Sequence, residues 1–349
     1  MKYYLYVLVI LSILQTACGA NDKKNWRNEF GFEIEFKRVT ILDYYGDEKN
    51  VIIPERIYNL PVTWIENNAF ADKKLESIVL PGQLTGIGSN AFYNNNLKEV
   101  YFPETTIVLN SGAFSNNQIS KINKLPLINL GRVSKQLFQF NKLIDVNIPD
   151  GIYRIDELAF ADNELEHVDF PDSLNYISIS AFSNNKITSV FLPDSVTNIS
   201  EHAFKSNEIT DLRLPTGPSI IWDGVFENNK IVKLTIPDSV TNIRTSAFKN
   251  NMITELTLPD NLLYIGPSVF ADNLLSQVKI PDSVVSIFAT AFTGNDITQI
   301  SIGENVRLLL LEKDEPFVFD LGFDEFYIAN GRQAGDYSYE NGGWVFTPR

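Results

Sequence analysis

The sequence has almost no cysteine and almost no histidine. Cys18 is the only cysteine, so no disulfide can form within the chain, and His167 and His202 are the only histidines. The histidines occupy different places in the repeated pattern described below, so we expect neither a histidine metal site nor a Ser-His-Asp triad. We therefore predict a protein that is not an enzyme and that needs no cofactor or metal.

Basic residues are also scarce, since 29 lysines and arginines stand against 43 aspartates and glutamates, for a net charge of −14. A field of this sign repels phosphate backbones, so we expect no nucleic acid as a partner. Gly86-Ile-Gly88 lacks the third glycine and the strand-to-helix context of a dinucleotide loop. We expect no small-molecule substrate.

Long apolar runs are missing except near the start, where Leu5 to Leu14 follows Lys2 and precedes Thr16 and Ala17. This run is too short to span a bilayer comfortably and is typical of an export signal. We therefore assign residues 1–17 to a signal peptide.

Cys18 stands at the expected cleavage point of that signal. An unpaired thiol is a liability in an oxidising compartment, but here it can carry diacylglycerol. The run from Leu14 to Cys18 resembles the lipobox of bacterial lipoproteins, with Gln15 where that family usually has leucine. We predict lipidation of Cys18, a tether at residues 18–28, and an exported protein held by lipid at the outer membrane or cell surface. Cleavage without lipid is the alternative.

Phenylalanine recurs at a fixed interval, which indicates internal repeats. The spacing is 22 residues with one step of 24, at Phe70, Phe92, Phe114, Phe138, Phe160, Phe182, Phe204, Phe226, Phe248, Phe270 and Phe292. An aliphatic residue lies five positions before each phenylalanine. Each unit then contains a run such as Ile187-Thr-Ser-Val190-Phe-Leu192-Pro193, whose alternation predicts a short strand with one buried face. Identical strands from successive units should stack as a parallel sheet.

Asparagine occupies the third position after nearly every phenylalanine. The column consists of Asn95, Asn117, Asn141, Asn163, Asn185, Asn207, Asn229, Asn251, Asn273 and Asn295, with Lys73 as the exception in the first unit. An inward-facing turn leaves backbone groups without partners, and an amide can both donate to and accept from them. We interpret this column as structural.

The repeat resembles the leucine-rich repeat of the BspA or treponemal type, which has a proline after the strand and an Ala-Phe pair in the return segment. The resemblance covers roughly Phe30 to Ile302. It implies a surface lipoprotein whose fold is a leucine-rich-repeat solenoid: a parallel one-sheet superhelix of about eleven 22-residue repeats. The family often has cysteine where this chain has the asparagine column. A second proline, Pro126, interrupts the pattern between Lys121 and Val133 and predicts a local distortion of the sheet.

Both ends of a solenoid need caps because its terminal units expose apolar faces. We expect an N-terminal β cap at residues 29–64, the solenoid at residues 65–302, and a small C-terminal β cap module at residues 303–349. Gly331 and the pair Gly342-Gly343 indicate turns between three short strands in the C-terminal module, the first around Phe323 to Ile328.

The variable strand positions should form a concave docking face. On this face Phe191, flanked by Asp169 and Arg213, is the best candidate for partner contact, and Tyr101 is the second. We expect a protein or glycan on a host or neighbouring cell as the partner, and an adhesion or interaction function. The alternative is a non-lipidated secreted or periplasmic scaffold of the envelope.

Two further interpretations have less support. Asp150, Asp172, Asp194, Asp238, Asp260 and Asp282 follow the post-strand prolines and could line up as a weak calcium edge, but Pro-Asp is ordinary turn chemistry. A hydrolase could use Asp324, Glu325, Asp336 and Glu340 in the tail, yet nothing in the sequence sets two of them at a defined separation.

Overall fold

The computed structural model describes residues 26–304, 306–309 and 318–348. The expected signal peptide and Cys18 lie outside the described residues. Trp26–Asn28 form a turn of 3₁₀ helix with Trp26 buried, so the last three residues of the expected tether already belong to the folded part.

The N-terminal cap is built from two β-hairpins and one further strand, β3 (Asn50–Ile52). Strands β1 (Phe30–Glu35) and β2 (Arg38–Tyr44) pair antiparallel, as do β4 (Arg56–Ile57) and β5 (Leu60–Ile65). β2 also pairs in parallel with β5, which joins the cap to the repeats.

The repeats form a parallel β-solenoid with two strands in each turn. The strands before the prolines form what we call the proline ladder: β3 (Asn50–Ile52), β6 (Ser77–Val79), β8 (Glu99–Val100), β10 (Lys121–Ile122), β12 (Asp145–Asn147), β14 (His167–Asp169), β16 (Ser189–Phe191), β18 (Asp211–Arg213), β20 (Lys233–Thr235), β22 (Glu255–Thr257), β24 (Gln277–Lys279) and β26 (Gln299–Ile302). Its strands pair mainly two by two, for example β16 with β18.

The strands before the phenylalanines form a second, phenylalanine ladder. It consists of β5, β7 (Gly86–Ile87), β9 (Val108–Leu109), β11 (Arg132–Val133), β13 (Arg154–Ile155), β15 (Tyr176–Ile177), β17 (Asn198–Ile199), β19 (Ile220–Ile221), β21 (Asn242–Ile243), β23 (Tyr264–Ile265), β25 (Ser286–Phe288) and β27 (Arg307–Leu309). The solenoid is thus confirmed, but the expectation of one sheet was wrong. The aliphatic residue five positions before each phenylalanine both fills the interior and pairs with its counterparts in neighbouring turns.

The phenylalanine ladder is interrupted twice. It breaks between β9 and β11, in the segment where Pro126 predicted a distortion, and again between β17 and β19. At the second break Pro218 stands where neighbouring turns have Val196 and Val240, whose N–H groups donate to the carbonyls of Pro193 and Pro237. Proline has no N–H to donate, so this turn cannot repeat that bond.

Phenylalanine rings stack through the interior of the solenoid. From Phe70 to Phe292 the neighbouring ring centroids lie 5.0 to 6.0 Å apart. Tyr44 of the cap continues the stack at the front, and Phe319 continues it at the end, 4.9 Å from Phe292. The N–H of Phe292 donates to the carbonyl of Val318, as each earlier phenylalanine donates to the residue before its successor. Val318 and Phe319 are therefore the Ala-Phe equivalent of one more turn.

The C-terminal module consists of one helix and one hairpin. Helix α1 (Phe323–Ala329) precedes β28 (Gly335–Glu340) and β29 (Gly343–Pro348), and β28 pairs antiparallel with β26, so that it covers the last edge of the proline ladder. The first of the three expected strands is thus a helix. Phe323 and Tyr327, four residues apart, both face the core, which is a helical spacing and not the alternation of a strand.

Candidate interaction face

The outer surface of the proline ladder presents the variable residues of each strand. In a typical strand such as His167–Asp169, the middle residue Val168 is buried and the two flanking residues are exposed. This alternation arises because successive side chains of a strand point to opposite sides. The face is therefore a set of outward columns that run along the solenoid from turn to turn.

The structure brings Phe191 and Arg213 together on this face. The two residues are register partners of β16 and β18, and Phe191 is 59% exposed. The guanidinium Nη2 of Arg213 lies 3.4 Å from Oδ2 of Asp194, and both side chains remain exposed. Asp169 belongs to the preceding turn and contacts the Nε2 of His167 at 2.9 Å. Phe191 thus has a cationic neighbour on one side and a carboxylate in the turn on the other side.

Tyr101 belongs to a separate, apolar part of the same face. Ile52, Val79 and Tyr101 occupy equivalent outward positions in three successive turns and are 56%, 42% and 49% exposed. The sequence analysis had placed Tyr101 on this face but had not placed Ile52 in its column. The signal was present, because Ile53-Pro54 repeats the strand-ending pair Leu80-Pro81. We call these three residues the apolar strip.

Two clefts interrupt the face. One, of about 620 Å³, lies over β10, β12 and β14, next to the irregular segment after Ile122. The other, of about 510 Å³, lies where the C-terminal hairpin meets the last strands of the proline ladder, and Ser301 Oγ donates to Asp336 Oδ1 at 2.8 Å beside it. Neither cleft was expected from the sequence, because each depends on how an irregular segment packs against the ladder.

The asparagine column lies inside the wall of the solenoid, away from this face. Its ten members are buried, and Asn163 shows the typical contacts. Its Nδ2 donates to the carbonyls of Phe138, Phe160 and Ala161 at 2.9, 3.1 and 3.1 Å, and its Oδ1 accepts from the N–H of Leu143 at 3.0 Å. One amide thus bonds to backbone groups of two successive turns.

The two histidines considered for catalysis lie in different parts of their turns. His167 lies on the proline ladder, whereas His202 lies in the turn before Phe204, beside Gly224. Within the described ranges no three histidine, cysteine or acidic side chains are grouped closely enough to hold a metal ion.

Among the tail acids, Asp324 is buried and accepts from the N–H groups of Val318 and Phe319 at 2.6 and 3.2 Å. Burial raises the pKa of Asp324 to about 6, although both hydrogen bonds act to lower the pKa. Asp336 accepts from Ser301, and Glu340 accepts from Ser338 at 2.7 Å. Of these three acids only Asp324 is packed inside the cap, whereas Asp336 and Glu340 are exposed.

Within the part of the chain that the structure describes, no helix has the length and apolar character needed to cross a bilayer.

Comparisons with known proteins identify the repeat. The family described as "BspA type Leucine rich repeat region" matches in six copies, over residues 63–141, 131–253 and 247–310. No curated protein matches the chain significantly.

Solved structures with a similar fold include a leucine rich cell surface protein from Faecalibacterium prausnitzii. It is 23% identical, with a TM-score of 0.53, over 80% of this chain and 88% of the other. A leucine-rich repeat protein from Bacteroides ovatus is 21% identical, with a TM-score of 0.58, over 81% and 89% of the two chains. At these identities the likeness concerns the fold.

Proposed function

The chain belongs to the BspA-type leucine-rich repeat family, and on that premise we propose that it is a cell-surface interaction protein that binds a macromolecular partner through the face of the proline ladder. Solenoids of this kind generally bind along an extended surface and do not enclose a substrate. The partner that fits this face is a protein, or a glycan carried on a cell surface.

The observation that carries the proposal is the exposure of apolar side chains on an otherwise polar ladder. Phe191 stands beside Arg213, and the apolar strip contributes three more side chains. Aromatic and arginine residues supply much of the binding energy of known interfaces, because they bury a large area and keep a polar contact. Phe191 is therefore the first anchor we assign and Tyr101 the second.

The proposal includes a lipid anchor on Cys18 at the outer membrane or cell surface. It is supported by the apolar run before this cysteine and by the absence of any other cysteine with which it could pair. The similar protein from Faecalibacterium prausnitzii is a cell surface protein, which agrees with this location. Metabolic labelling with a fatty-acid probe tests the anchor: label should enter the protein and be lost in a Cys18→Ser variant. Unlabelled, secreted protein would instead favour the scaffold role.

Binding of residues 21–349 to a panel of host matrix proteins, envelope proteins and glycans tests the face. We expect a Phe191→Asp, Tyr101→Asp variant to lose at least about tenfold in affinity, because truncating an interface anchor costs about 2 kcal/mol or more. Phe140→Asp is the matched control. Phe140 is 52% exposed and lies off the ladder, at a turn position where other repeats hold Asp72, Asp162 and Asp272.

All variants must keep the circular dichroism of the unaltered protein. Equal affinity of the double variant and the unaltered protein would rule out the proline ladder as the binding face.

A further inference from the structure

Two hairpin tips of the N-terminal cap carry exposed aromatic side chains. Phe36 is 93% exposed between β1 and β2, and Tyr58 is 55% exposed between β4 and β5. β2 and β5 begin directly after these tips and run parallel, with Val39 opposite Val62. Both tips therefore project from the same end of the sheet.

Ile34 and Tyr58 both adjoin Phe32, and Phe36 follows directly after the same strand. Ile34, 42% exposed, lies on the same side of β1 as Phe32, and the ring of Phe32 contacts that of Tyr58 at 5.9 Å. We call the two hairpin tips, with their exposed side chains Phe36 and Tyr58 and the neighbouring Ile34, the aromatic tips.

The backbone at both tips is unfavourable for aromatic residues. The φ angles are 46° and 62° at Phe36 and Lys37, and 49° and 62° at Tyr58 and Asn59. Hairpin turns with two positive φ angles favour asparagine and glycine, because other side chains crowd the carbonyl oxygen. A large ring that is both strained and exposed contributes little to the packing of the fold. Two such rings at the same end of one sheet point to a contact outside the chain.

Basic residues stand in or beside the two hairpin turns, although the chain as a whole is strongly acidic. Lys37, Arg38 and Arg56 are exposed, and neither Lys37 nor Arg38 forms an ion pair with another residue in the described part of the chain. Glu33 and Glu35 lie on the opposite side of β1 from Ile34, because side chains alternate along a strand. Arg38, the register partner of Glu35, lies on that opposite side as well, whereas Lys37 stands in the turn itself. The positive charge therefore lies at the tip and behind its apolar side.

The anchor of the proposed function would hold this cap close to a bilayer. Seven residues lie between Cys18 and Trp26, where the described fold begins, and the eight steps along the chain span at most about 29 Å. β1 separates the start of the fold from the tip at Phe36 by about 20 Å. A lipid on Cys18 and the aromatic tips can therefore engage the same membrane surface.

We propose that the aromatic tips dock the N-terminal cap into the headgroup region of a bilayer that contains anionic lipid. Phe36, Tyr58 and Ile34 enter the boundary between headgroups and acyl chains, and Lys37 and Arg38 bind lipid phosphates. Isolated aromatics with a polar or basic rim suit this boundary, where one end of the side chain is apolar and the other wet. The proximity of a membrane to the cap rests on the proposed lipid anchor. The affinity of the tips for a bilayer depends only on their own side chains.

Cosedimentation of residues 21–349 with vesicles tests the docking without any lipid on the protein. This fragment holds every described residue and the continuous core from Trp26 to Trp344. Phosphatidylcholine vesicles, with and without phosphatidylglycerol, are the probes. We expect a Phe36→Asn, Tyr58→Asn variant to partition at least about tenfold less, since burying a ring of this size contributes about that factor. Asparagine suits these turns, so the fold should be kept.

Phe140→Asn is the matched control, because Phe140 is also exposed and has a φ of 55°, but lies in the solenoid. It should partition like the unaltered fragment. A Lys37→Glu, Arg38→Glu variant should lose the preference for phosphatidylglycerol.

An unaltered fragment that binds neither vesicle, or a double variant that binds as well as the control, would overturn the docking. If the Phe36→Asn, Tyr58→Asn variant instead loses binding to a protein of the panel, the tips belong to a protein interface. Fatty-acid labelling reports on Cys18 independently, so a missing anchor and a failed docking are told apart.

Discussion

Each asparagine of the column replaces a set of backbone hydrogen bonds that the turn itself cannot make. Asn229 Nδ2 donates to the carbonyls of Phe204, Phe226 and Glu227, and its Oδ1 accepts from the N–H of Ile209 at 3.1 Å. Aspartate keeps only the acceptor and adds a charge inside the wall. The column therefore requires an amide and not merely a polar side chain.

We predict that Asn229→Asp lowers the free energy of unfolding by about 3 kcal/mol or more, since each buried group left without a partner costs about 1–3 kcal/mol. Urea unfolding followed by circular dichroism measures this loss. Asn228→Asp is the control: Asn228 Oδ1 accepts from Asn250, and aspartate retains that acceptor. If the two variants have equal stability, the column is not structural.

Some residue positions could be predicted from the periodic sequence and others could not. The column and the phenylalanines could be located from spacing alone, because each recurs in the same environment at every turn. The same spacing placed Arg213 beside Phe191, because the two residues are one 22-residue repeat apart and are register partners. Ile52 was missed because it joins the apolar strip through a turn that departs from the 22-residue spacing.

At the scale of elements, regular alternation was predictable and short or mixed elements were not. The strands before the prolines follow an alternating pattern, and the sequence located them. The two-residue strands of the phenylalanine ladder are too short to alternate, so the ladder becomes visible only when the turns are stacked. Helix α1 was mistaken for a strand because its seven residues bring together buried aromatics that also suit a strand.

Helix α1 should make the stability of the C-terminal module depend on pH. Asp324 stands in its first turn, and its pKa is raised to about 6 from 3.8, mainly by burial. A raised carboxyl pKa means that the folded state binds the proton more tightly than the unfolded state. The stabilising contribution is therefore complete below about pH 4 and is lost as the pH rises through about 6.

We predict that the C-terminal module becomes less stable between pH 4 and pH 7, by an amount on the order of 3 kcal/mol from Asp324. Fluorescence of Trp344, which packs on Phe323 at 5.0 Å, follows its unfolding. In an Asp324→Asn variant this part of the pH dependence should disappear while that of the other acids remains. An unchanged slope in the variant would show that Asp324 does not titrate in this range.

On the scale of the whole molecule, the two ends serve different purposes. β28 covers the edge of the proline ladder at the C-terminal end, and Phe319 completes the ring stack there. The N-terminal cap also covers its end of the stack, through Tyr44, but carries the aromatic tips on its outer side. The need for caps could be predicted from the repeats. The difference between the two ends could not, because it depends on hairpin turns in which aromatic residues adopt positive φ angles.

The ring stack has a consequence for how such a molecule can change in evolution. Neighbouring rings are about 5 to 6 Å apart, and the stack continues from turn to turn even across the two interruptions of the phenylalanine ladder. Duplication or deletion of one 22-residue segment in the gene would lengthen or shorten the protein by one such step and leave both caps intact. The distance from the N-terminal cap to the cleft beside the C-terminal hairpin can thus change only in steps of one turn.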